Sequence, residues 1–540
     1  MKKMLPIGNA IFKSVREMGY YYIDKTLMIK DFIELGDAVS LITRPRRFGK
    51  TLNLTMLRDF FDVASNNKAI FDGLAIMDTG YVKHINSRPV IFLSFKDCKA
   101  NNSNTLLFLI SKAVKSQYDK FKGLITDKTD DRYFDFFTVY DKLRSDTTDI
   151  NYLQISIQIL EEALTVYYKA KPIVLIDEYD QPIIGSYEYG YYNELSAFFS
   201  GFYGAALKDQ EFMHQAMLTG IQRVVKENIF SQLNNISVYT VLDDEYSQYF
   251  GFTQKETYDL LNNFDLSFNE NVARKYNGYI FGKTEIYNPW SLLNYAKTGK
   301  LDDYWLNTST NYLIKQSIDG ADGMFQEKFQ ELISKGSVKV GADLRCSFIE
   351  LKSNNTLWGL LINAGYITVS GQISQYLMTV RIPNDEVAAE FVRIVAGHAN
   401  VQDMDLHIMF QCLFDADMDG FLNIYREIVI SCTSYFDAKE NAYHMLFLGM
   451  CISLRNIYNI FSNVESGHGR NDIIMESLSA MRPHIIIEFK QGGDIEMLKI
   501  AALSQIIENS YYSGLTGDVL CVGIAHDKKR CAVAHRTIKQ

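Results

Sequence analysis

The 540-residue chain is poor in cysteine, and its seven (98, 346, 412, 432, 451, 521 and 531) include no CxxC pair. This excludes a disulfide framework and a zinc site of that type, and it predicts a reducing, cytoplasmic compartment. Long apolar runs are missing too: the longest, Met445 to Leu454, is about half of the roughly twenty residues that a bilayer span requires. The opening MKKMLPIGNAIFKSVREMG has no continuous apolar core before Lys13, so neither a secretory signal nor a membrane partner is expected. Low-complexity tracts and solenoid-period repeats are absent. Basic residues number 55 against 64 acidic ones, a net charge of −9, which excludes a histone-like binder and leaves nucleic-acid contact to local patches.

What is present is ordinary globular material. Hydrophobic residues make up 47% and charged residues 22%, which argues against disorder, and the length predicts two to four domains. Over the first 250 residues, short apolar runs alternate with longer amphipathic stretches. Strands are expected at Ala38–Thr43, Pro89–Phe95, Pro172–Ile176, Gln215–Thr219 and Val238–Val241, with helices at Leu106–Phe121 and Tyr152–Ala170. That is the pattern of an α/β domain with a parallel sheet. From about Thr253 to Val380 the chain turns to short helices with Gly and aromatic punctuation, and beyond Pro383 further helices lead into a strand-rich C-terminus.

The first strand runs into Arg44-Pro45-Arg46-Arg47-Phe48-Gly49-Lys50-Thr51, which fits the phosphate-loop pattern G-x-x-x-x-G-K-[ST] except that Arg44 stands at the first glycine. Gly49 lets the backbone approach a phosphate, Lys50 reaches the β- and γ-phosphates, and the Thr51 hydroxyl suits Mg²⁺. A helix over Lys50–Phe61 would aim its N-terminal amides at the anion. At the end of the third apolar strand, Asp177 is a magnesium-side acid and Glu178 a polariser of water. ATPases with such a glutamate insert a strand between the loop strand and the acid strand. Gln215–Thr219 fits it, with Thr219 beside the γ-phosphate; Arg223 either reads phosphate charge or serves a surface ion pair.

Together YYIDKT (21–26), LITRPRRFGKT (41–51), VLIDEYDQPI (174–183), LTGIQRV (218–224) and YNPWSLL (287–293) resemble bacterial AAA-like ATPases fused to a C-terminal PD-(D/E)XK nuclease domain. In that family the loop commonly reads RPRRFGK, so Arg44 agrees with the resemblance, and Arg46 or Arg47 is expected to donate to phosphate in place of the missing glycine. Asp24 is expected to cap a helix. The resemblance implies a P-loop ATPase parallel sheet over 1–252, a small helical, winged-helix-like lid over 253–380, a helical connector over 381–460 and a restriction-endonuclease-like α/β domain over 461–540. It also implies ATP and Mg²⁺ as cofactors, and a role in defence against foreign nucleic acid.

Near the C-terminus, Gly469-Arg470-Asn471-Asp472 leads into one strand and Pro483–Lys490 forms the next. A hairpin would bring Asp472 and Glu488 together, while strand periodicity puts Glu488 and Lys490 on one face and turns Phe489 into the core. Two carboxylates suit Mg²⁺ and a bound water, and the lysine suits the attacking water. Glu465, Gln505 and Tyr511 are further matches to the nuclease pattern. Residues 1–60 carry a net +5 and residues 513–540 a net +3, and Lys528-Lys529-Arg530 is either a phosphate contact or a solvated turn. The expectation is an ATPase governing a metal-dependent nuclease that acts on DNA or RNA, with homo-oligomerisation left open. The rival is a nucleotide-dependent signalling switch with an inactive nuclease fold.

Overall fold

The computed structural model describes residues 3–125, 130–145, 148–208, 211–223, 235–305, 323–344, 353–388, 403–431, 443, 447, 450–454, 457–462, 465–466, 469–528 and 530–539. Packing divides the chain into two compact units, residues 1–305 with 341–369, and residues 306–340 with 370–540. Among the described residues no helix is long and apolar enough to cross a membrane.

In the first unit, β1 (Val39–Thr43), β2 (Val90–Ser94), β3 (Ile173–Asp177), β4 (Gln215–Gly220) and β5 (Ile236–Tyr239) form an all-parallel sheet in the order β2-β3-β4-β1-β5. Every residue of β1, β3 and β4 is buried, which is why these strands read as unbroken apolar runs. Helix α1 (Lys50–Phe61) follows β1 directly. Alternate strand positions, among them Leu41, Leu93, Ile176 and Leu218, share one core with helices α2 (Ser103–Phe121) and α3 (Ile150–Tyr168). Both helices start on a side-chain cap: Asn102 Oδ1 accepts from the Thr105 amide at 2.9 Å and Asp149 Oδ1 from the Asn151 amide at 3.2 Å. β4 lies between β1 and β3, so register places Thr219 beside Asp177 and Gly220 beside Thr43.

The motif YNPWSLL is a helix start. Asn288 Oδ1 accepts from the Trp290 and Ser291 amides, and Pro289 opens helix Pro289–Thr298 where a missing N–H costs nothing. Helix α4 (Asn354–Ala364) begins on Ser353, whose hydroxyl accepts from the Thr356 amide at 3.3 Å. Asp24 departs from expectation. Thr26 is the cap residue of helix Leu27–Leu35, while Asp24 Oδ1 takes the Thr26 amide and hydroxyl and Oδ2 takes the Ala75 amide. A carboxylate two residues ahead of the helix closes an Asx-type turn instead, and its distant partner leaves no local signal. The neighbouring Lys25 is 6% exposed and its ammonium bonds the Glu256 carboxylate and the Gln248 carbonyl.

In the second unit, β6 (Tyr458–Ser462), β7 (Ile473–Ser477), β8 (His484–Gln491), β9 (Val519–Asp527) and β10 (Arg530–Ile538) stand side by side in chain order. Only β8 and β9 are parallel, and helix α5 (Ile495–Glu508) makes the crossover between them. Phe489 is fully buried, on the face opposite Glu488, and packs against Phe447 and His526. Gly523 on β9 lies under α5, where an added Cβ would come 2.4 Å from the Lys499 carbonyl and 2.6 Å from the Leu503 amide. Helix and strand are therefore closer than any side chain allows. Gly523→Ala should destabilise this unit by about 1–3 kcal/mol, as overpacking does, read as a lower denaturation midpoint. An unchanged midpoint would contradict the contact.

Candidate active sites

The phosphate loop leaves β1 and enters α1 at Gly49, whose φ of 85° is a left-handed conformation that glycine adopts without steric cost. Lys50 is 8% exposed, and its ammonium donates to the Arg44 and Pro45 carbonyls at 2.9 and 2.8 Å, so it curls over the loop. Burial lowers its pKa to about 8, against the pull of Glu178 and Asp177. Arg44 is turned away from the loop and completely buried. Its guanidinium donates to the carbonyls of Thr43, Tyr239 and Glu245 and lies 5.5 and 5.3 Å from the ring centres of Phe250 and Phe281. Burial pushes that group down to about 9, with Asp243 opposing. The residue at the missing glycine thus anchors the loop from inside.

The other loop residues are also held. Phe48 meets Tyr279 and Phe281 edge-on and tilted, the Trp305 indole donates to the Arg46 carbonyl at 3.3 Å, and the Arg47 guanidinium sits 3.9 Å from the Trp290 ring centre. Of the two arginines expected at phosphate, Arg47 is on an aromatic face, whereas Arg46 carries charge felt by both Lys50 and Glu178. Trp290 and Trp305 had no signal in the loop motif, because they stand 243 and 259 residues from the arginines they meet.

Asp177 joins the pieces. One carboxylate oxygen takes the Thr51 hydroxyl at 2.6 Å and the other the Thr219 hydroxyl at 2.8 Å, with 1% of the residue exposed. Glu178 follows at a φ of 51°, a left-handed conformation unusual outside glycine, and its carboxyl is raised first by burial and then by Asp177. Sequence reasoning passed over Asp180, which is 2% exposed and whose Oδ2 takes the Ile221 and Gln222 amides at 2.8 Å each. Arg223 lies three residues past β4, partly buried. The hard oxygens of Thr51 and Asp177 fit the few-carboxylate, water-rich shell that Mg²⁺ takes beside phosphates. Nucleotide phosphate should return Lys50 to its charged form, so binding takes up protons near pH 8 and weakens as pH rises above about 8. Calorimetry in buffers of different ionisation heat measures this, and binding that takes up no protons at pH 8 would argue against Lys50 as the phosphate ligand.

In the second unit the last β7–β8 ladder pair is Ile473 with Ile487, so Asp472 comes opposite Glu488 one step beyond. The two are interlocked: the Asp472 amide donates to Glu488 Oε2 at 3.3 Å and the Phe489 amide to Asp472 Oδ2 at 2.7 Å. Lys490 Nζ stands 3.6 Å from Glu488 Oε1. From α5, Gln505 donates to the same oxygen at 2.5 Å and to the Tyr511 hydroxyl at 3.3 Å. The Glu465 side chain and Lys529 lie outside the described residues, and Arg530 bonds Asp527 within its turn and the Gly493 carbonyl beyond it.

Glu488 is 3% exposed, and burial, then the Asp472 charge, raises its pKa to about 7. Among the described residues no group of three His, Cys, Asp or Glu is placed to hold a metal, so the donor set here is two carboxylates. That is a set Mg²⁺ accepts, since it retains several waters. A raised carboxyl favours the folded state at low pH, and this contribution is lost as pH rises from about 4.5 through about 7. Mg²⁺ should therefore raise the melting temperature more at pH 8 than at pH 6. Glu488→Gln should raise the metal-free value at pH 8 and remove the metal effect; equal metal effects at both pH values would contradict the pairing.

Two family models match the chain. Residues 6–230 match the AAA-ATPase-like model, described as a predicted AAA-ATPase, and residues 438–536 match the PD-(D/E)XK nuclease superfamily. An uncharacterized protein in the vnfD 5′ region of Azotobacter chroococcum mcd 1 is 26% identical over 398 residues, covering 72% of this chain and 69% of that one. The matches fall on the sheet with the phosphate loop and on the sheet with the Asp472–Glu488 pair. The chain thus carries a region that matches the predicted AAA-ATPase model and, toward its C-terminus, one that matches the PD-(D/E)XK nuclease superfamily model.

Proposed function

We propose that the chain is an ATP hydrolase whose nucleotide state governs a metal-dependent nuclease acting on DNA or RNA. The observation that carries the first half is the Asp177 carboxylate shared by Thr51 and Thr219, with Glu178 next in the chain. Gly49 and the α1 amides bind the β-phosphate, Lys50 leaves its two loop carbonyls for the β- and γ-phosphates, and Arg46 adds charge at the γ-phosphate. Glu178, raised by burial, orients the attacking water and takes its proton. Mg²⁺, when bound, neutralises phosphate charge beside Thr51 and Asp177.

The second half rests on Asp472, Glu488 and Lys490 at one sheet end. Asp472 and Glu488 would hold Mg²⁺, which lowers the pKa of a bound water. Lys490 positions that water toward the phosphodiester, and Gln505 keeps the Glu488 carboxylate in its rotamer. A lid over 253–380 is supported by the aromatic and Gly-rich run from Tyr276 to Tyr295, the cytoplasmic setting by the unpaired cysteines, and a part in defence against foreign nucleic acid by the family resemblance.

Phosphate release and cleavage of labelled DNA and RNA across a Mg²⁺ series, with and without ATP, test the reading. Glu178→Gln should keep ATP binding and lower turnover by about 10²–10⁴. Lys50→Ala should weaken both. Asp472→Ala should lose metal affinity, whereas Lys490→Ala should keep the metal and lose about a hundredfold in rate. Unchanged ATP affinity in Lys50→Ala refutes the nucleotide site; if wild type cuts nothing, the nuclease reading fails and the signalling switch replaces it.

A further inference from the structure

The start of the loop after β4 is braced at Ile221 and Gln222. Its Ile221 and Gln222 amides sit on Asp180, and the Gln222 carbonyl takes the Tyr179 hydroxyl at 2.6 Å. The buried Gln222 side chain then crosses to α4, where Nε2 donates to the Leu360 carbonyl at 3.4 Å and Oε1 accepts from Asn363 Nδ2 at 3.2 Å. Asn363, itself 2% exposed, also donates to the Leu344 carbonyl at 3.3 Å. Helix α4 ends at Gly365 with a φ of 87°, and a Cβ there would be 2.8 Å from Pro45 of the phosphate loop. The Gly365 carbonyl accepts from Tyr279, whose ring packs on Phe48 of that loop. One helix therefore touches both the loop after Thr219 and the phosphate loop.

That helix lies in residues 341–369, the one stretch after residue 305 that packs with the first unit, and both its ends continue into the second. We propose that α4 and the residues that follow it, 354–369, relay the nucleotide state of the phosphate loop to the second unit, with the Gln222–Asn363 amide pair as the input. The inference rests on nucleotide binding at that loop. Thr51 and Thr219 each donate to one oxygen of Asp177, so a metal that draws on Thr51 or on Asp177 shifts the bond to Thr219 as well. The Thr219 end is stiffly linked to Gln222, and a buried amide pair cannot slip without leaving polar groups unpaired. The cheaper response is for α4 to follow. Coupling of this kind commonly amounts to 5–150-fold between sites.

Hydrogen exchange on the full chain, with and without a non-hydrolysable ATP analogue, tests this. In wild type the analogue should slow exchange at 44–51 and shift it about fivefold or more across 354–364, with a further change in strand Leu377–Arg381. Asn363→Leu should retain the first effect and lose the other two. Because that change strands Gln222, the double variant Gln222→Met with Asn363→Leu, which replaces both partners by apolar groups, is the second arm. Protection at 44–51 without any change at 354–369 in wild type overturns the relay, as does wild-type behaviour in either variant. No protection at 44–51 overturns the nucleotide site and the relay with it.

Discussion

A single carboxylate ties the first unit together. Asp177 ends one strand, and its two oxygens take hydroxyls from the first turn of α1 and from the tip of the strand inserted beside it. Moving any of the three elements leaves a buried ionised group short of a partner, which is costly in a low-dielectric interior. The order β2-β3-β4-β1-β5 is what makes the arrangement possible, because it sets Thr219 in register with Asp177 and puts β1, and so the loop, next door. The anchoring of Arg44, Phe48 and Arg47 serves the same end, since the Thr51 hydroxyl is placed only as well as the loop before it.

The two sites repeat one electrostatic device on unrelated sheets. Each sets a glutamate, half-buried at Glu178 and buried at Glu488, against an aspartate and a lysine: Glu178 with Asp177 and Lys50, Glu488 with Asp472 and Lys490. Burial and the neighbouring carboxylate raise the glutamate while the lysine opposes. A group poised in this way changes protonation at little cost, which suits it to handling a proton on water.

Much of this was legible in the sequence. Parallel strands buried on both faces announce themselves as apolar runs, and period-two alternation was enough to put Glu488 and Lys490 on one face with Phe489 behind. Helix Lys50–Phe61 is legible because a Gly-Lys-Thr turn starts it. The unreadable parts depend on distant partners. Nothing local says that Arg44 turns inward onto Tyr239 and Glu245, that Trp290 covers Arg47, or that Asp180 and Gln222 brace the loop after Thr219. Asp24 belongs with these: its second oxygen is spent on Ala75.

The discontinuity of the first unit bears on how the protein is made. Residues 306–340 separate its larger part from Gly341–Val369, so all five strands of the phosphate-loop sheet leave the ribosome well before α4. At roughly 5–20 residues per second, that interval is several seconds. Until it ends, Gln222 lacks its amide partner and Pro45 lacks Gly365. The nascent chain therefore holds a formed sheet with an unfinished nucleotide loop, and a fragment cut at residue 305 stays in that condition permanently. A fragment that carries the whole first unit has to run through residue 369.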